Sequence, residues 1–255
     1  MSDVIAVFAK APRPGEVKTR LAHSLGSEVA ADLYKAMLLD SLALARKAAR
    51  PLEACEVILA YTPSDAFDGG QYSLNDLWAG PRTPQCAGSL GDRIFDCCSQ
   101  LQAHGAERVV IIGSDAPNLP PRYICRAFSR LDQKCKAVTL IDRSVYYPKV
   151  WMGADIALGP AKDGGFYLLG ASCSIPLELF QNVAWSTAST LAQVVANAER
   201  LRLRMTLLPQ WRDIDSMADL QALIQTMHKP DYGPRFHNDH KAITMRRWLQ
   251  SKELL

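Results

Sequence analysis

The chain has 255 residues, 48% of them apolar and 22% charged, with a formal net charge of +3. Those proportions belong to an ordinary globular protein, and no apolar run approaches the 18 or so residues of a membrane span. The positive excess sits in residues 229–255, where six Lys/Arg meet three Asp/Glu, so the balanced body lacks the broad basic field of a nucleic-acid binder.

Residues 4–9 are apolar on both faces, as strands of buried parallel sheets are. The run ends in KAPRPGEVKTRL, where Lys10, Arg13, Lys18 and Arg20 surround a turn at Pro14-Gly15. Arg offers a planar fork of donors and Lys a compact point charge, so the loop suits phosphate oxygens. Ala9, Lys10, Arg13, Gly15, Lys18 and Arg20 form this expected cradle, with a merely solvated basic loop as the alternative. The GxxxxGK[ST] spacing is missing, which excludes a P-loop at Lys18-Thr19.

Ser27 is placed to cap a helix over 28–49, which Pro51 stops. A strand over 57–61 leads into a loop rich in Gly, Asp and Ser to about residue 84. A helix over 91–103 follows Gly88-Ser89-Leu90-Gly91, whose backbone N–H groups can meet a base or phosphate beside Asp92 and Arg93. The segment VVIIGSDAPNLP then carries a fully apolar strand over 109–113 into Asp115. Ligands of open α/β sheets collect outside such strand ends. Asp115 is thus the first expected ligand of Mg2+ (or Mn2+), an ion that offsets repulsion between carboxylate and phosphate. Capping the turn through Pro117 and Asn118 is its alternative role. Ser114 either orients the phosphate or bonds its own loop.

A short helix to 131 and a strand over 137–141 come next. Strands over 156–158 and 166–169 flank AKDGG, where Gly164 and Gly165 let backbone approach a ligand or Asp163; a plain hairpin turn is the competing reading. A helix over 187–200 and a strand over 203–208 precede WRDID. Alternation sends Asp213 and Asp215 to one side, one to complete the metal shell and the other to cap the next helix. That helix, over 216–227, opens with Ser216 and Asp219 at capping-box spacing. Strands alternating with amphipathic helices indicate an α/β sandwich with parallel strands.

The seven cysteines are odd in number and form no CxxC pair, so neither a disulfide framework nor a zinc knuckle is expected. They suit core positions in a reducing compartment, and the N-terminus has no leader pattern, which together point to the cytoplasm. His237 and His240 read as a solvated tail.

In this order, FAKAPRPGEVKTRL, GSLGDR, IIGSDAPNLP, LGPAKDGGFYLLG, WSTASTL and WRDIDSMADL resemble the bacterial DUF2064 family over residues 4–223. These are glycosyltransferase-like, cofactor-biosynthesis guanylyltransferase-like proteins of the nucleotide-diphospho-sugar transferase fold. The resemblance implies a three-layer α/β sandwich with a mostly parallel, mixed central sheet, GT-A-like and Rossmann-like. It also implies that loop 13–20 wraps nucleotide phosphates, that Asp115 binds metal and that Asp163 with Gly164 and Gly165 forms an acceptor-side corner. Asp213 and Asp215 match a late acidic pair, while Trp185, Ser186 and Thr187 match a motif that is either acceptor contact or helix start. Two departures stand out. Where the family often has Thr-Asp-Cys-Pro, this chain has Ser114-Asp115-Ala116-Pro117, which keeps the carboxylate and removes a thiol. Residues 136–153, with Tyr146, Tyr147 and Trp151, are extra sequence suited to an acceptor pocket or an oligomer contact.

The resulting expectation is one domain over 1–228 and a basic tail over 229–255 docked on the body or a partner subunit. The expected activity is metal-dependent nucleotidyl transfer from an NTP to a small phosphorylated acceptor. Arg13, Lys18 and Arg20 would neutralise the departing pyrophosphate, and no protein nucleophile is needed. The alternatives are a glycosyltransferase using an NDP-sugar and a catalytically silent nucleotide-binding partner. A homo-oligomer would form through 136–153 or the tail; neither nucleic acid nor a membrane span is expected.

Overall fold

The computed structural model describes residues 2–131, 153–172, 174–227 and 242–254. Strands β1 (Ser2–Lys10), β2 (Cys55–Thr62), β3 (Arg82–Pro84) and β4 (Ala106–Gly113) lie parallel. Beyond them come β5 (Ile156–Pro160), β6 (Phe166–Ala171) and β7 (Met205–Leu207), completing a sheet of order β3-β2-β1-β4-β6-β5-β7. Among the described residues only β6 runs against its neighbours, β4 and β5. The strand mouths of β4 and β5 therefore open on one edge, and the β5–β6 turn lies there too.

Successive strand residues face opposite sides, so each strand feeds two cores. Ile5 and Val7 join Val110 and Ile112 on the face covered by α2 (Ser27–Ala49) and α4 (Pro121–Leu131). Ala6 joins Val109 and Ile111 on the face covered by α3 (Leu90–Ala103) and α5 (Thr190–Arg200). This is the expected three-layer α/β sandwich with a mixed, mostly parallel sheet. A third cluster packs α1 (Thr19–Leu25), α6 (Met217–Met227) and α7 (Ile243–Ser251) around Leu33 and Met37 of α2. Asp40 of α2, buried, accepts the first backbone N–H groups of α7, from Thr244 at 2.9 Å and Met245 at 2.8 Å.

Ser27 does not cap α2. The helix starts at Ser27, and Gly26 takes the N-cap in a left-handed conformation (φ +85°) that L side chains avoid. The same glycine ends α1 by donating to the Ala22 carbonyl at 2.9 Å, so a single residue turns one helix into the next. Helix α1 and the short strand β3 both form where only loop was expected. Ser216 and Asp219, by contrast, make the reciprocal cap that their spacing predicts. The expected strand over 137–141, the insertion at 136–153 apart from its last residue, Cys135, Cys173, His237 and His240 lie outside the described residues. The five described cysteines are free thiols. No helix among the described residues is long and apolar enough to cross a membrane.

Candidate functional site

The β1–α1 arm is folded by its own backbone. Glu16 N–H donates to the Arg13 carbonyl at 3.1 Å around Gly15, and Val17 is buried against Ala31 and Tyr34 of α2. The arm then reaches Lys18, which is left-handed (φ 47°, ψ 44°), a conformation costing a non-glycine residue on the order of 1 kcal/mol. This turn sends the Lys18 side chain inward. Its ammonium meets Asp115 Oδ1 at 2.5 Å, Asp215 Oδ1 at 2.7 Å and the Ile214 carbonyl at 2.7 Å. The Lys18 side chain is 3% exposed, against 46% for Asp115 and 39% for Asp215. Burial opposes its charge, but the two carboxylates outweigh burial and hold its pKa above the usual lysine value.

The WRDID segment arrives by backbone pairing. Trp211 N–H donates to the Pro160 carbonyl and Ile214 N–H to the Asp115 carbonyl. Asp213 and Asp215 thereby come beside Asp115. Burial first, then the charges of Asp115, Asp215 and Asp163, push the Asp213 carboxyl up to about 8.

A cavity of about 520 Å³ opens over these groups, within the usual range of small-ligand sites. Lys10, Lys18, Arg20 and Arg93 are the cations of its lining, and Glu16, Asp115, Asp163 and Asp215 the acids. Ala9 and Ser114 line it too. Phe8, Leu90, Ile94 and Phe166 add apolar surface. The sequence-predicted basic arm and acidic strand mouth thus share one cavity.

Other expected site residues go elsewhere. Arg13 turns away to pair with Asp65 at 2.9 Å. Asp92 is occupied in the α3 cap: its carboxylate accepts the Ser89 N–H at 2.8 Å, and Ser89 Oγ accepts its own N–H at 3.2 Å. Gly15 is exposed, and neither it nor Asp213 is among the residues that line the cavity. Gly164 (φ +92°) has no room for a Cβ, which would lie 2.2 Å from the Ala188 carbonyl oxygen. Its freedom serves backbone contact with the segment before α5. Gly165 donates its N–H to Asp163 Oδ1 at 2.9 Å, fixing that carboxylate at the cavity edge.

One residue that sequence reasoning passed over joins Lys10 to Ser114. The buried Tyr34 hydroxyl accepts the Lys10 N–H at 2.9 Å and bonds Ser114 Oγ at 2.9 Å. Burial, and next the charge of Asp115, pushes this phenol up to about 12. Its only signal is a polar tip among the core positions of α2.

The donor chemistry at the strand mouth fits a hard divalent cation. Asp115 and Asp215 both bring an oxygen to one point, and Mg2+ is commonly held by one or two carboxylates plus substrate phosphates. Among the described residues no three His, Cys, Asp or Glu gather in an arrangement that could hold a metal by themselves. The remaining ligands would have to come from the bound molecule.

The whole chain aligns with a protein from Desulfovibrio desulfuricans G20, provisionally named a nucleotide-diphospho-sugar transferase, at 28% identity and a TM-score of 0.73, covering 100% of this chain and 99% of that one. It shares its fold with a CMP:2-keto-3-deoxy-manno-octonic acid synthetase complexed with CTP, at 10% identity and a TM-score of 0.52, over 89% and 98% of the two chains. The architecture is an α/β, Rossmann-like fold with a mixed central sheet, consistent with a GT-A-like one. Among curated proteins none matches this chain. The model of the family described as "Uncharacterized protein conserved in bacteria (DUF2064)" matches residues 44–187, more than half of the sequence, and the chain belongs to that family.

Proposed function

We propose that this protein is a metal-dependent transferase that takes a nucleotide-containing donor in the strand-mouth cavity, and that the donor is a nucleotide-diphospho-sugar. The observation that carries this reading is the convergence of Lys10, Lys18 and Arg20 with Asp115 and Asp215 on one cavity. A diphosphate is an anionic group that suits both kinds of residue at once. The cations would bind its oxygens, and a divalent ion held by Asp115 and Asp215 would offset its charge beside those carboxylates. The likeness to the Desulfovibrio protein over the full chain supports a sugar-bearing donor.

Asp115 and Asp215 would hold Mg2+ or Mn2+, which when bound supplies charge to offset the diphosphate. Lys10 and Arg20, both exposed at the cavity, stabilise the leaving diphosphate as its negative charge grows. Asp163, oriented by Gly165 N–H, stands where an acceptor hydroxyl can give up its proton. The acceptor oxygen bonds the sugar carbon, the bond from that carbon to the diphosphate breaks, and the nucleoside diphosphate departs. No protein nucleophile is used; positioning and charge do the work.

Nucleotidyl transfer from an NTP to a phosphorylated acceptor is the second reading, favoured by the four cations Lys10, Lys18, Arg20 and Arg93 in the cavity lining. In that case attack is on the α-phosphorus and pyrophosphate leaves. A thermal-shift screen of NTPs and NDP-sugars with and without Mg2+, followed by product analysis, decides between them. Release of NDP with consumption of the donor sugar supports the first reading. Pyrophosphate release from NTP and a phosphorylated acceptor supports the second. Binding without turnover of either donor supports a silent nucleotide-binding role, and absence of any nucleotide binding overturns all three.

A further inference from the structure

Lys18 is arranged in a way that simple phosphate binding does not require. An ammonium has three N–H donors, and here Asp115, Asp215 and the Ile214 carbonyl take all of them. None is left for a phosphate. Moreover, its two carboxylate partners are the ones that would hold a divalent ion. An ion seated on the same two Oδ1 atoms would repel the ammonium at contact distance, and Lys18, 3% exposed, has little water to screen that repulsion.

We propose that Lys18 is an exchangeable cation: it holds Asp115 and Asp215 in the free protein and yields them to a divalent ion, at low ion concentration when a donor diphosphate arrives to receive the ammonium and at saturating ion concentration without it. This rests on the transferase reading above. Charge explains the order of events. Two carboxylates and one ammonium leave the cluster at −1. A divalent ion entering alone makes it +1 and strips Lys18 of its partners. The ion entering with a diphosphate gives the displaced ammonium new acceptor oxygens and restores the balance. The flexible four-carbon stem starts on a wall of the same cavity, so the exchange needs side-chain rotation alone. Metal and donor then bind cooperatively, and the coupling is the same whichever binds first.

The test is a Mn2+ titration read by the electron paramagnetic resonance of the free ion, with and without UDP or GDP, on the wild type and Lys18→Met. The wild type should bind Mn2+ at least about tenfold tighter when the diphosphate is present. Lys18→Met should bind Mn2+ tightly alone, with the coupling reduced to less than about threefold. Diphosphate-dependent Mn2+ binding in the wild type with no tighter binding of Mn2+ alone in the variant overturns the exchange but leaves the transferase reading standing. If the wild type binds neither Mn2+ nor any nucleotide, the transferase reading falls, and the exchange with it. Should Lys18→Met not fold, acetylation of wild-type lysines followed by peptide mass spectrometry replaces it. Lys18 should be protected in the free protein and labelled at least about fivefold faster in saturating Mn2+ alone; unchanged labelling while Mn2+ binds overturns the proposal.

Discussion

The two ends of the β1–β4 strand pair carry ion pairs of opposite character, each with one buried partner. At the amino-terminal end Arg108 grips Asp3 with two bonds of 2.7 Å, donates a third to the Phe128 carbonyl at 3.0 Å, and lies over the Phe128 ring. One cation meets one carboxylate, and the geometry is closed. At the carboxyl-terminal end a single ammonium faces Asp115 and Asp215, with Asp213 beside them. That cluster has more acid than base. The contrast teaches that charge balance, rather than burial alone, separates an ion pair that completes a fold from one that awaits a ligand.

The comparison can be broken most severely at its open end. Asp115→Asn should lower transferase turnover by about 10²–10³-fold or more, since it removes a carboxylate that would hold the ion offsetting the diphosphate charge. Its urea midpoint should barely move, because Lys18 keeps Asp215 and the Ile214 carbonyl; turnover retained at saturating Mg2+ would remove Asp115 from the site. At the closed end the effect should invert. Asp3→Asn leaves a mostly buried guanidinium without its partner and should cost about 3 kcal/mol in urea unfolding, with turnover per folded molecule unchanged. A fall in turnover without loss of stability would erase the distinction between the ends.

The smallest effects sharpen the picture within the basic arm. Arg20→Ala should weaken a nucleoside diphosphate by about tenfold and leave the bare nucleoside unaffected, as expected for a charge-assisted contact. Arg13→Ala removes a surface pair with Asp65 and should change diphosphate affinity by less than about threefold. Isothermal titration of both variants against the two ligands checks the difference. Equal losses would mean that Arg13 swings back to the donor.

Much of this arrangement is legible in the chain itself. Apolar runs fixed on both faces announce β1 and β4, and Asp115 follows β4 where α/β sheets bind ligands. What is not legible arises from contacts distant in sequence. Nothing local to Lys18 says that Asp215, 197 residues away, will share its ammonium. Nor does Asp-Gly-Gly say that Gly164 answers to the Ala188 backbone. Asp92 looks like a phosphate-site residue for the same reason that it makes a good cap: both roles use the N–H groups at a helix start. The left-handed Gly26 was missed because Ser27 is a better capping residue by type, and backbone geometry overrode type.

Helix α2 carries its own consequence. Tyr34, which ties Lys10 to Ser114, sits about 9 Å along the axis from Asp40, which anchors the opening turn of α7. The last described helix of the chain is therefore braced against the same beam that ties Lys10 to Ser114 at the cavity. A change at α7 that moved Asp40 would act on that beam, although no residue of α7 lines the cavity.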